Sequence, residues 1–453
     1  MESIFGTDGI RGKANQYPIV PETALNVGRA AAAVLKTNSR SRIFIGKDGR
    51  LSGDMLEAAL ASGICSAGAD VCLAGIIPTP AIAYLARVNR ADAGIVVSAS
   101  HNPFEDNGIK IFSSQGYKLD KAVEDHIEKI VLGEDNSFIF APAKQIGTVS
   151  SVPDAEDQYV DFLKSCLGKI KNLKGLRLVL DCSNGAASTV APRVFTELGA
   201  EVTTLANKPD GININENCGS QHIETMQQTV RKKGANAGFA FDGDGDRLIA
   251  VDENGEPVTG DHILAICARH LKQAGMLKNN LAVSTVMSNV GLINALKEME
   301  IRHIITDVGD RYVLDEMRKN GAVIGGEDSG HMIFLDHHTS GDGIMTALRL
   351  LEAMFTTGEP LSSLRRIMAV YPQILKNVRV KTKTDIYKFP EIADAIRTVE
   401  NQLGEQGRVL VRYSGTQPLC RIMVEGPDQD ETRRLCQDIV DVVSDRLGES
   451  GSK

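Results

Sequence analysis

Three segments of the chain repeat one order of apolar and polar positions. In each segment an apolar run ends in a polar loop, a helical pattern follows, and a second apolar run comes next. The first runs with their loops cover residues 42–50, 176–187 and 281–291, and the second runs cover residues 69–73, 200–205 and 301–306. Because strands that alternate with helices are typical of α/β sheets, this order predicts three homologous α/β units.

The third apolar run of each unit leads into an unusual polar loop. These runs begin at Ala93, Ala237 and Gly321, and their loops read SASHNP, DGDGDR and GGEDSGH. In units that share one topology, such loops occupy the same place in each sheet. We therefore expect the three loops to face one cleft.

The last part of the chain has a different pattern. Strand patterns cover residues 375–380, 408–413 and 419–424, and helical patterns lie around Asp394 and Glu431. The predicted fold class is α/β, with three topologically similar mixed-sheet domains and a C-terminal α+β domain around a central cleft. The predicted domains are residues 1–152, 153–254, 255–370 and 371–453.

Composition narrows the range of partners. The 453-residue chain is 42% hydrophobic and 24% charged, which is typical of soluble globular proteins with several domains. Its net charge of −8 argues against nucleic acid or an anionic membrane surface as the main partner. The eight cysteines are scattered without a C-x-x-C pair, and no apolar run predicts a membrane span or a signal peptide. We therefore expect a cytoplasmic protein with reduced cysteines.

The loop DGDGDR carries the sharpest chemical signal. Its three carboxylates, Asp242, Asp244 and Asp246, repel one another, and the glycines between them allow all three to turn toward one cation. A hard divalent ion, Mg²⁺ above all, would relieve that repulsion. An EF-hand loop is rejected because Arg247 stands at the sixth position, where that loop needs glycine. A haloacid-dehalogenase-like phosphatase that uses Asp242 as its nucleophile stays open.

The role of Ser100 in the first loop is inferred from the metal site predicted in the second loop. Ser100 and His101 are adjacent, so their side chains diverge in an extended loop, and the G-x-S-x-G pattern of serine hydrolases is absent. A serine beside a Mg²⁺ site is better suited to carry a phosphoryl group, whose oxygen fills a metal position. The alternative is that Ser100 and His101 only cap a helix.

Two basic residues, Lys110 and Arg11, accompany these loops. Basic residues usually lie at the surface, but a site that handles phosphoryl groups needs cations opposite the metal. Lys110, at the centre of a predicted strand, would also serve as an acid if its pKa were lowered. The segment at residues 47–50 is expected to add basic or structural contacts.

The third loop and a C-terminal segment offer groups that bind sugars and phosphates. Glu327 and Ser329 suit the recognition of sugar hydroxyl groups, and the pKa range of His331 suits proton transfer. His337 and His338, just downstream, are expected to face solvent. The segment RYSGTQPLCR offers hydroxyl groups, backbone amides and two arginines to a phosphate dianion, from Arg412, Ser414, Gly415, Thr416 and Arg421. Two phosphate positions with hydroxyl-binding groups between them suit a sugar phosphate.

Five motifs carry a resemblance to a known family. The chain contains, in this order and over nearly its whole length, FGTDGIRG, SASHNP, DGDGDR, GGEDSGH and RYSGTQPLCR. It resembles the α-D-phosphohexomutase superfamily, and within it most closely the bacterial phosphoglucosamine mutase branch. The resemblance implies four domains around a central cleft. It also implies the cytoplasmic interconversion of glucosamine 6-phosphate and glucosamine 1-phosphate, through a phosphoserine enzyme and a 1,6-bisphosphate intermediate, toward UDP-N-acetylglucosamine.

The same resemblance implies roles for single residues. Ser100 would be the phosphoserine, and one Mg²⁺ per subunit would bind its phosphoryl group together with Asp242, Asp244 and Asp246. The groups implied to surround the transfer are His101, Lys110, Arg11, Arg247 and His331, of which the last assists proton transfer. The groups implied to bind substrate are Glu327, Ser329, Arg412, Ser414, Gly415, Thr416 and Arg421. Glucosamine or glucose 1,6-bisphosphate is implied as an activator, and a homodimer as the assembly.

Three residues depart from the pattern of the branch. Gln417 stands where S-G-T-E-P has glutamate, Asp328 replaces asparagine or glutamine, and Gly49 replaces the threonine of G-K-D-T-R. Gln417 removes a carboxylate that would either meet the ammonium group of the substrate or orient the phosphate-binding segment. Phosphoglucomutase or phosphomannomutase activity is therefore the nearest alternative. A phosphatase that acts through Asp242 and a catalytically inactive sugar-phosphate sensor are alternatives from other classes.

Overall fold

The computed structural model describes residues 3–6, 8–36, 41–135, 140–168, 170, 172–413 and 418–448. The chain divides into two compact units, of which the first spans Met1–Met287 and Ile301–Ile367 and the second spans Ser288–Glu300 and Met368–Lys453. Among the described residues, no helix combines the length and the apolar character needed to cross a membrane. All eight cysteines are free, and all but Cys65 are buried, as expected from their apolar surroundings in the sequence.

Seven strands form the first sheet of the first unit. They are β1 (Phe5–Gly6), β2 (Gly9–Lys13), β3 (Arg42–Lys47), β4 (Asp70–Ile76), β5 (Ala93–Val97), β6 (Asp106–Ser113) and β7 (Val149–Ser151). They lie in the order β1-β2-β6-β5-β3-β4-β7. The helices of this segment are α1 (Pro21–Val34), α2 (Gly53–Ser66), α3 (Thr79–Val88) and α4 (Lys121–Val131). All five residues of β5 are buried, which explains its continuous run of small and β-branched side chains.

Five strands form the second sheet. They are β8 (Arg177–Asp181), β9 (Glu201–Leu205), β10 (Ala237–Phe241), β11 (Leu248–Asp252) and β12 (Pro257–Val258), in the order β12-β11-β10-β8-β9. The helices are α5 (Ala155–Ser165), α6 (Ala187–Glu197), α7 (Glu224–Lys233) and α8 (Gly260–Gln273). β10 carries the apolar run before DGDGDR, and all five of its residues are buried.

Four strands form the third sheet. They are β13 (Leu281–Thr285), β14 (Arg302–Thr306), β15 (Ile324–Gly326) and β16 (Met332–Phe334), in the order β14-β13-β15-β16. The helices of this segment are α9 (Val290–Glu298), α10 (Asp310–Asn320), α11 (Gly343–Thr357) and the short α12 (Leu361–Leu364). Of these, α9 lies in the second unit.

The three sheets share a core of four strands with the same connections. In the first core, β3 pairs in parallel with β4 on one side and with β5 on the other, and β6 runs antiparallel beyond β5. The strands β8 to β11 and β13 to β16 repeat this arrangement. The predicted threefold repeat is confirmed. Each polar loop joins the third strand of its core to the fourth, so each loop begins at the carboxyl end of a parallel strand, where α/β sheets bind ligands.

The second unit contains a small antiparallel sheet. Its strands are β17 (Gln373–Arg379), β18 (Arg408–Tyr413) and β19 (Leu419–Glu425), in the order β17-β19-β18. Its helices α13 (Pro390–Leu403) and α14 (Gln429–Leu447) contribute Ile392, Val399 and Leu435 to a core shared with the sheet. These elements confirm the predicted α+β pattern of the C-terminal part.

One expectation about surface position is wrong. His338 is fully buried, with Nε2 2.9 Å from the carbonyl oxygen of Pro80 in α3 and its ring edge-on to Phe162. Burial lowers the pKa of His338 to about 3, so its imidazole is neutral at physiological pH. His337 beside it is half-buried.

Candidate active site

Ser100 lies in the loop between β5 and β6, and only 1% of its surface is exposed. Its φ angle of +53° is in the left-handed region, which residues with a side chain rarely adopt. Such backbone conformations concentrate at functional sites. The loop leads into the strand β6, which excludes the alternative that Ser100 caps a helix.

The loop of Asp242, Asp244 and Asp246 meets the Ser100 loop directly. All three carboxylates are buried, and one oxygen of each lies within 4.8 Å of the others. The hydroxyl group of Ser100 donates to Asp242 Oδ2 at 2.5 Å. Gly243 allows this approach, because a Cβ at that position would lie 2.5 Å from the carbonyl oxygen of Ser100. The first and second loops thus share one site, as predicted.

The charges of this triad explain why it suits a metal ion. Burial and the charges of Asp246 and Asp244 raise the pKa of the Asp242 carboxyl well above its usual range. Asp244 Oδ1 and Asp246 Oδ1 are buried without a hydrogen-bond partner. Unpaired buried carboxylate oxygens are costly, and three carboxylates close together are the ligand set of a hard divalent cation. The triad is therefore a candidate metal centre.

Lys110 lies beside the triad, at the centre of β6, and only 2% of its surface is exposed. Its ammonium group donates to Asp244 Oδ2 at 2.7 Å and lies 3.5 Å from Asp246 and 3.2 Å from Asp8. Burial alone would lower the pKa of Lys110, but these carboxylates raise it on balance. The lowered pKa that an acid role would need is therefore not found, and Lys110 is a fixed positive charge.

Arg11 and Arg247 present unused donors in the same region. Arg11 forms an ion pair with Asp8, and the backbone amide of Arg247 donates to Asp242 Oδ1 at 3.1 Å. The Nε atoms of both arginines are buried without a hydrogen-bond partner, and Arg247 Nε lies 3.8 Å from Asp246 Oδ1, beyond hydrogen-bond distance. Because buried donors are almost always paired, these two atoms indicate an anionic ligand, such as a phosphoryl group.

His101 has a neutral imidazole next to Ser100. Its Nδ1 lies 3.5 Å from Ser100 Oγ, at the limit of a hydrogen bond. Burial and the positive charges of Arg247 and Arg11 lower the pKa of His101 to about 4. At neutral pH the ring is uncharged and one of its nitrogens is available as an acceptor.

His331 brings the third loop to the triad. Its Nδ1 lies 3.6 Å from Asp246 Oδ2, and its Nε2 lies 3.5 Å from Asp310 Oδ2. Burial opposes the charged imidazolium, but Asp246 and Asp310 raise the pKa of His331 to about 9. The backbones of Arg247 and His331 also pair as a β-bridge. The second and third loops therefore meet, as predicted, with a protonated histidine between two carboxylates.

Of the other two predicted residues of the third loop, Glu327 acts on the site through its charge, which helps to raise the pKa of Arg247. Glu327 is half-buried, and its Oε1 accepts a hydrogen bond from the amide of Gly309 at 3.1 Å. Ser329 is exposed. Both residues belong to the loop that carries His331.

Sequence reasoning missed a group of charged and polar residues around these loops. Lys118 forms ion pairs with both Asp8 and Asp310, and so joins the first sheet segment to the start of α10. Thr79, the first residue of α3, donates its hydroxyl to Asp244 Oδ2 at 2.7 Å. Asp8 belongs to the N-terminal motif FGTDGIRG, which was a signal for it, but the sequence around Lys118 carries none.

The structure describes only part of the predicted phosphate-binding segment RYSGTQPLCR. Ser414, Gly415 and Thr416 lie outside the described residues, as does Gln417. Arg412 and Arg421 are directly paired in the neighbouring strands β18 and β19. Arg421 Nε is buried without a hydrogen-bond partner, which is a suitable donor for an anion.

Comparison with protein families matches most of the chain to four models. They are Phosphoglucomutase/phosphomannomutase, alpha/beta/alpha domain I at residues 2–138, domain II at residues 157–255, domain III at residues 259–371, and the C-terminal domain at residues 375–442. The four models follow one another along the chain in the same order as the three repeated sheet cores and the small C-terminal sheet.

Curated proteins similar to the chain cover nearly its full length. A phosphoglucosamine mutase of Syntrophus aciditrophicus is 56% identical over 99% of this chain and 100% of its own length. A phosphoglucosamine mutase of Syntrophobacter fumaroxidans is 53% identical over the same shares.

Solved structures show the same fold. A phosphoglucomutase/phosphomannomutase family protein of Burkholderia thailandensis matches with a TM-score of 0.81 and 26% identity, over 98% of this chain and 99% of that one. The N-acetylphosphoglucosamine mutase of Aspergillus fumigatus, in complex with GlcNAc-6P and magnesium, matches with a TM-score of 0.73 and 16% identity, over 97% and 95%. At 16% identity, the likeness to the Aspergillus fumigatus structure shows only that the fold is shared.

Proposed function

The chain belongs to the phosphoglucomutase/phosphomannomutase family, and on that premise we propose that it interconverts glucosamine 6-phosphate and glucosamine 1-phosphate. The observation that carries this proposal is the strained, buried Ser100, whose hydroxyl donates to Asp242 in a triad of carboxylates. Glucosamine is chosen over glucose and mannose because relatives at 56% and 53% identity over their full length are phosphoglucosamine mutases.

In the proposed reaction Ser100 carries a phosphoryl group. The bond between Ser100 Oγ and phosphorus breaks as an oxygen of the sugar phosphate bonds to phosphorus, which gives a 1,6-bisphosphate. The attacking hydroxyl loses its proton to the protein, and Ser100 Oγ regains one. After the intermediate turns, its other phosphoryl group returns to Ser100 by the reverse step. A sugar 1,6-bisphosphate would act as an activator, because it phosphorylates Ser100.

The charges around Ser100 suit this transfer. Asp242, Asp244 and Asp246 would hold one Mg²⁺ per subunit, and the ion would neutralise negative charge on the transferring phosphoryl group. The Nε donors of Arg11 and Arg247, which have no hydrogen-bond partner, would hydrogen-bond its oxygens. Two residues complete the set. Lys110 would compensate the carboxylates, and the neutral His101 would accept a proton near Ser100 Oγ.

His331 and the substrate-binding groups complete the proposal. In the return step, the protonated His331 would donate a proton to the sugar oxygen as its bond to phosphorus breaks. Glu327 and Ser329 would bind sugar hydroxyl groups. The phosphate that is not transferred would be bound by Arg412, Ser414, Gly415, Thr416 and Arg421. We further propose a cytoplasmic homodimer. We also propose the four domains predicted from the sequence. In support, the family models for the second and third domains begin at residues 157 and 259, a few residues after the predicted starts at 153 and 255.

A mutase assay tests the proposed function. The enzyme is assayed on glucosamine, glucose and mannose 1-phosphates, with Mg²⁺ and a trace of the bisphosphate, and glucosamine 1-phosphate should react with the highest kcat/KM. Ser100→Ala should lose the activity, whereas the control Ser62→Ala, on the exposed side of α2, should keep it. Full activity of Ser100→Ala on all three sugars would contradict the proposal. A preference for glucose or mannose 1-phosphate would instead support phosphoglucomutase or phosphomannomutase activity.

A further inference from the structure

We propose that Arg50 and Asn215 are positioning residues that hold the backbone of the Ser100 loop, so that the Ser100 hydroxyl stays directed at the aspartate triad. The inference rests on the proposed role of Ser100 as the phosphoryl carrier. Neither residue touches the reacting atoms. Both act through the backbone carbonyl groups of residues 100–106.

Arg50 is a buried arginine whose donors are used on the Ser100 loop. It follows β3, and its side chain is shielded from solvent. Nη2 donates to the carbonyl oxygens of Ser100 and Asn102, each at 2.9 Å. Nη1 donates to the carbonyl oxygen of Asp106 at 2.9 Å and to that of Pro103. One guanidinium group thus holds four carbonyl groups on both sides of the turn.

Asp48 completes the support from the other side of Ser100. Its Oδ2 accepts hydrogen bonds from Arg50 Nε at 2.8 Å and from Ser98 Oγ at 2.5 Å. Ser98 Oγ in turn accepts from the amide of Ser100 at 2.9 Å. The amide and the carbonyl group of Ser100 are therefore both fixed through Arg50 and its partner Asp48.

Asn215 reaches the same loop from the segment between β9 and α7. Its Nδ2 donates to the carbonyl oxygens of Ser100 at 2.9 Å and Asn102 at 3.0 Å. The backbone amide of Asn215 donates to the carbonyl oxygen of Ser183 at 2.9 Å, so the second sheet segment anchors the residue. The carbonyl oxygen of Ser100 consequently accepts from two side chains, one from each of the first two repeated segments.

The proposed reaction requires Ser100 to be held in one position, which these contacts do. Ser100 must give up a phosphoryl group and receive another in every turnover, and both transfers need the same alignment of Oγ with the phosphorus atom. A left-handed residue with a side chain persists only where the surroundings fix it. Groups that orient a reacting side chain from behind, through hydrogen bonds, are what precise sites require.

The shape of the arginine matters as much as its charge. Guanidinium donors lie in a rigid planar fork, which allows Arg50 to serve several carbonyl groups at once. Lysine would keep the positive charge, but its N–H donors are all on one nitrogen atom and cannot reach the same set of carbonyl groups. Arg50→Lys therefore removes the proposed function of the residue while it preserves the charge beside Asp48.

Asn215→Asp is the decisive variant, with Arg50→Lys as the second. The aspartate has the shape of Asn215 but loses the donor, and it places a carboxylate oxygen against the carbonyl groups. We expect kcat to fall by about 100-fold with KM changed by less than about threefold, because substrate contacts remain. The rate of phosphoryl transfer from phosphorylated Ser100, measured in a single turnover, should fall with kcat. The control Glu216→Gln, on the exposed neighbour, should leave both rates unchanged.

The outcomes separate this inference from the function on which it rests. Thermal melting of each variant shows whether it is folded, and Asn215→Asp remains informative if Arg50→Lys is not. A folded Asn215→Asp enzyme with the wild-type single-turnover rate, or with its loss confined to KM, would overturn the positioning role. Full activity of Ser100→Ala would instead overturn the proposed function itself.

Discussion

Gly341 offers a strong test of the role proposed for His331. A Cβ added at Gly341 would lie 2.3 Å from His331 Nε2, 2.5 Å from Cε1 and 2.6 Å from Cδ2, whereas ordinary contacts to a Cβ begin at 3.4 Å. The φ angle of Gly341 lies outside the left-handed region, so alanine brings no backbone strain there. In Gly341→Ala the imidazole must therefore move by roughly 1 Å from its place beside Asp246.

The expected size of the effect follows from that displacement. A misplacement of about 1 Å costs about 100-fold in rate, or about 2.7 kcal/mol of transition-state stabilisation. The assay is the steady-state conversion of glucosamine 1-phosphate to glucosamine 6-phosphate, with kcat and KM measured separately. Gly53→Ala, at the start of α2, is the matched control, because the nearest atom to its added Cβ is Lys47 Cδ at 3.3 Å, in a flexible side chain.

Two results would refute this reasoning. A folded Gly341→Ala enzyme whose kcat stays within about threefold of the wild type would show that the position of His331 does not limit the reaction. An equal loss in Gly53→Ala would show that the effect is not specific to the site.

Three further predictions follow from the charges described above. In Lys110→Met the activity should fall by about 100-fold. The Mg²⁺ concentration needed for half-maximal activity should also fall, because the ammonium group that competes with the ion beside Asp244 is gone. A higher Mg²⁺ requirement would contradict this prediction. Removal of divalent ions with EDTA should abolish turnover and Mg²⁺ should restore it, and undiminished turnover would argue against the metal centre. His338 is neutral when folded, with a pKa of about 3, and protonates near pH 6.5 when unfolded, so its stabilising contribution is complete above pH 6.5 and declines toward pH 3. Urea unfolding should therefore show the stability gap between wild type and His338→Gln narrow by about 2 kcal/mol from pH 7 to pH 5, and a constant gap would contradict the buried neutral state.

The repeated sheets and the triad loop were predictable because their signals are local. Apolar runs such as those of β5 and β10 end in polar residues at the same point of each unit, and periodicity alone places these loops at the strand ends. Three aspartates within five positions likewise carry their chemistry in the sequence itself. Both features need no knowledge of how distant segments pack.

The supporting groups were not predictable for the opposite reason. Lys118 and Asp310 are separated by 192 positions, and Asn215 and Ser100 by 115, so only the folded chain brings them together. The same holds for His338, whose polar turn packs on α3 and becomes buried. The raised pKa of Lys110 likewise depends on carboxylates from another segment.

The central claim is that Ser100 carries the phosphoryl group, and one measurement tests it most directly. The enzyme is phosphorylated with ³²P-labelled glucose 1,6-bisphosphate, the labelled residue is mapped by mass spectrometry, and the label is chased in a single turnover with unlabelled glucosamine 6-phosphate. We predict acid-stable phosphoserine at Ser100 and transfer of its label to the sugar at least as fast as kcat. A hydroxylamine-labile phosphate on Asp242, or transfer from Ser100 slower than turnover, would contradict the account.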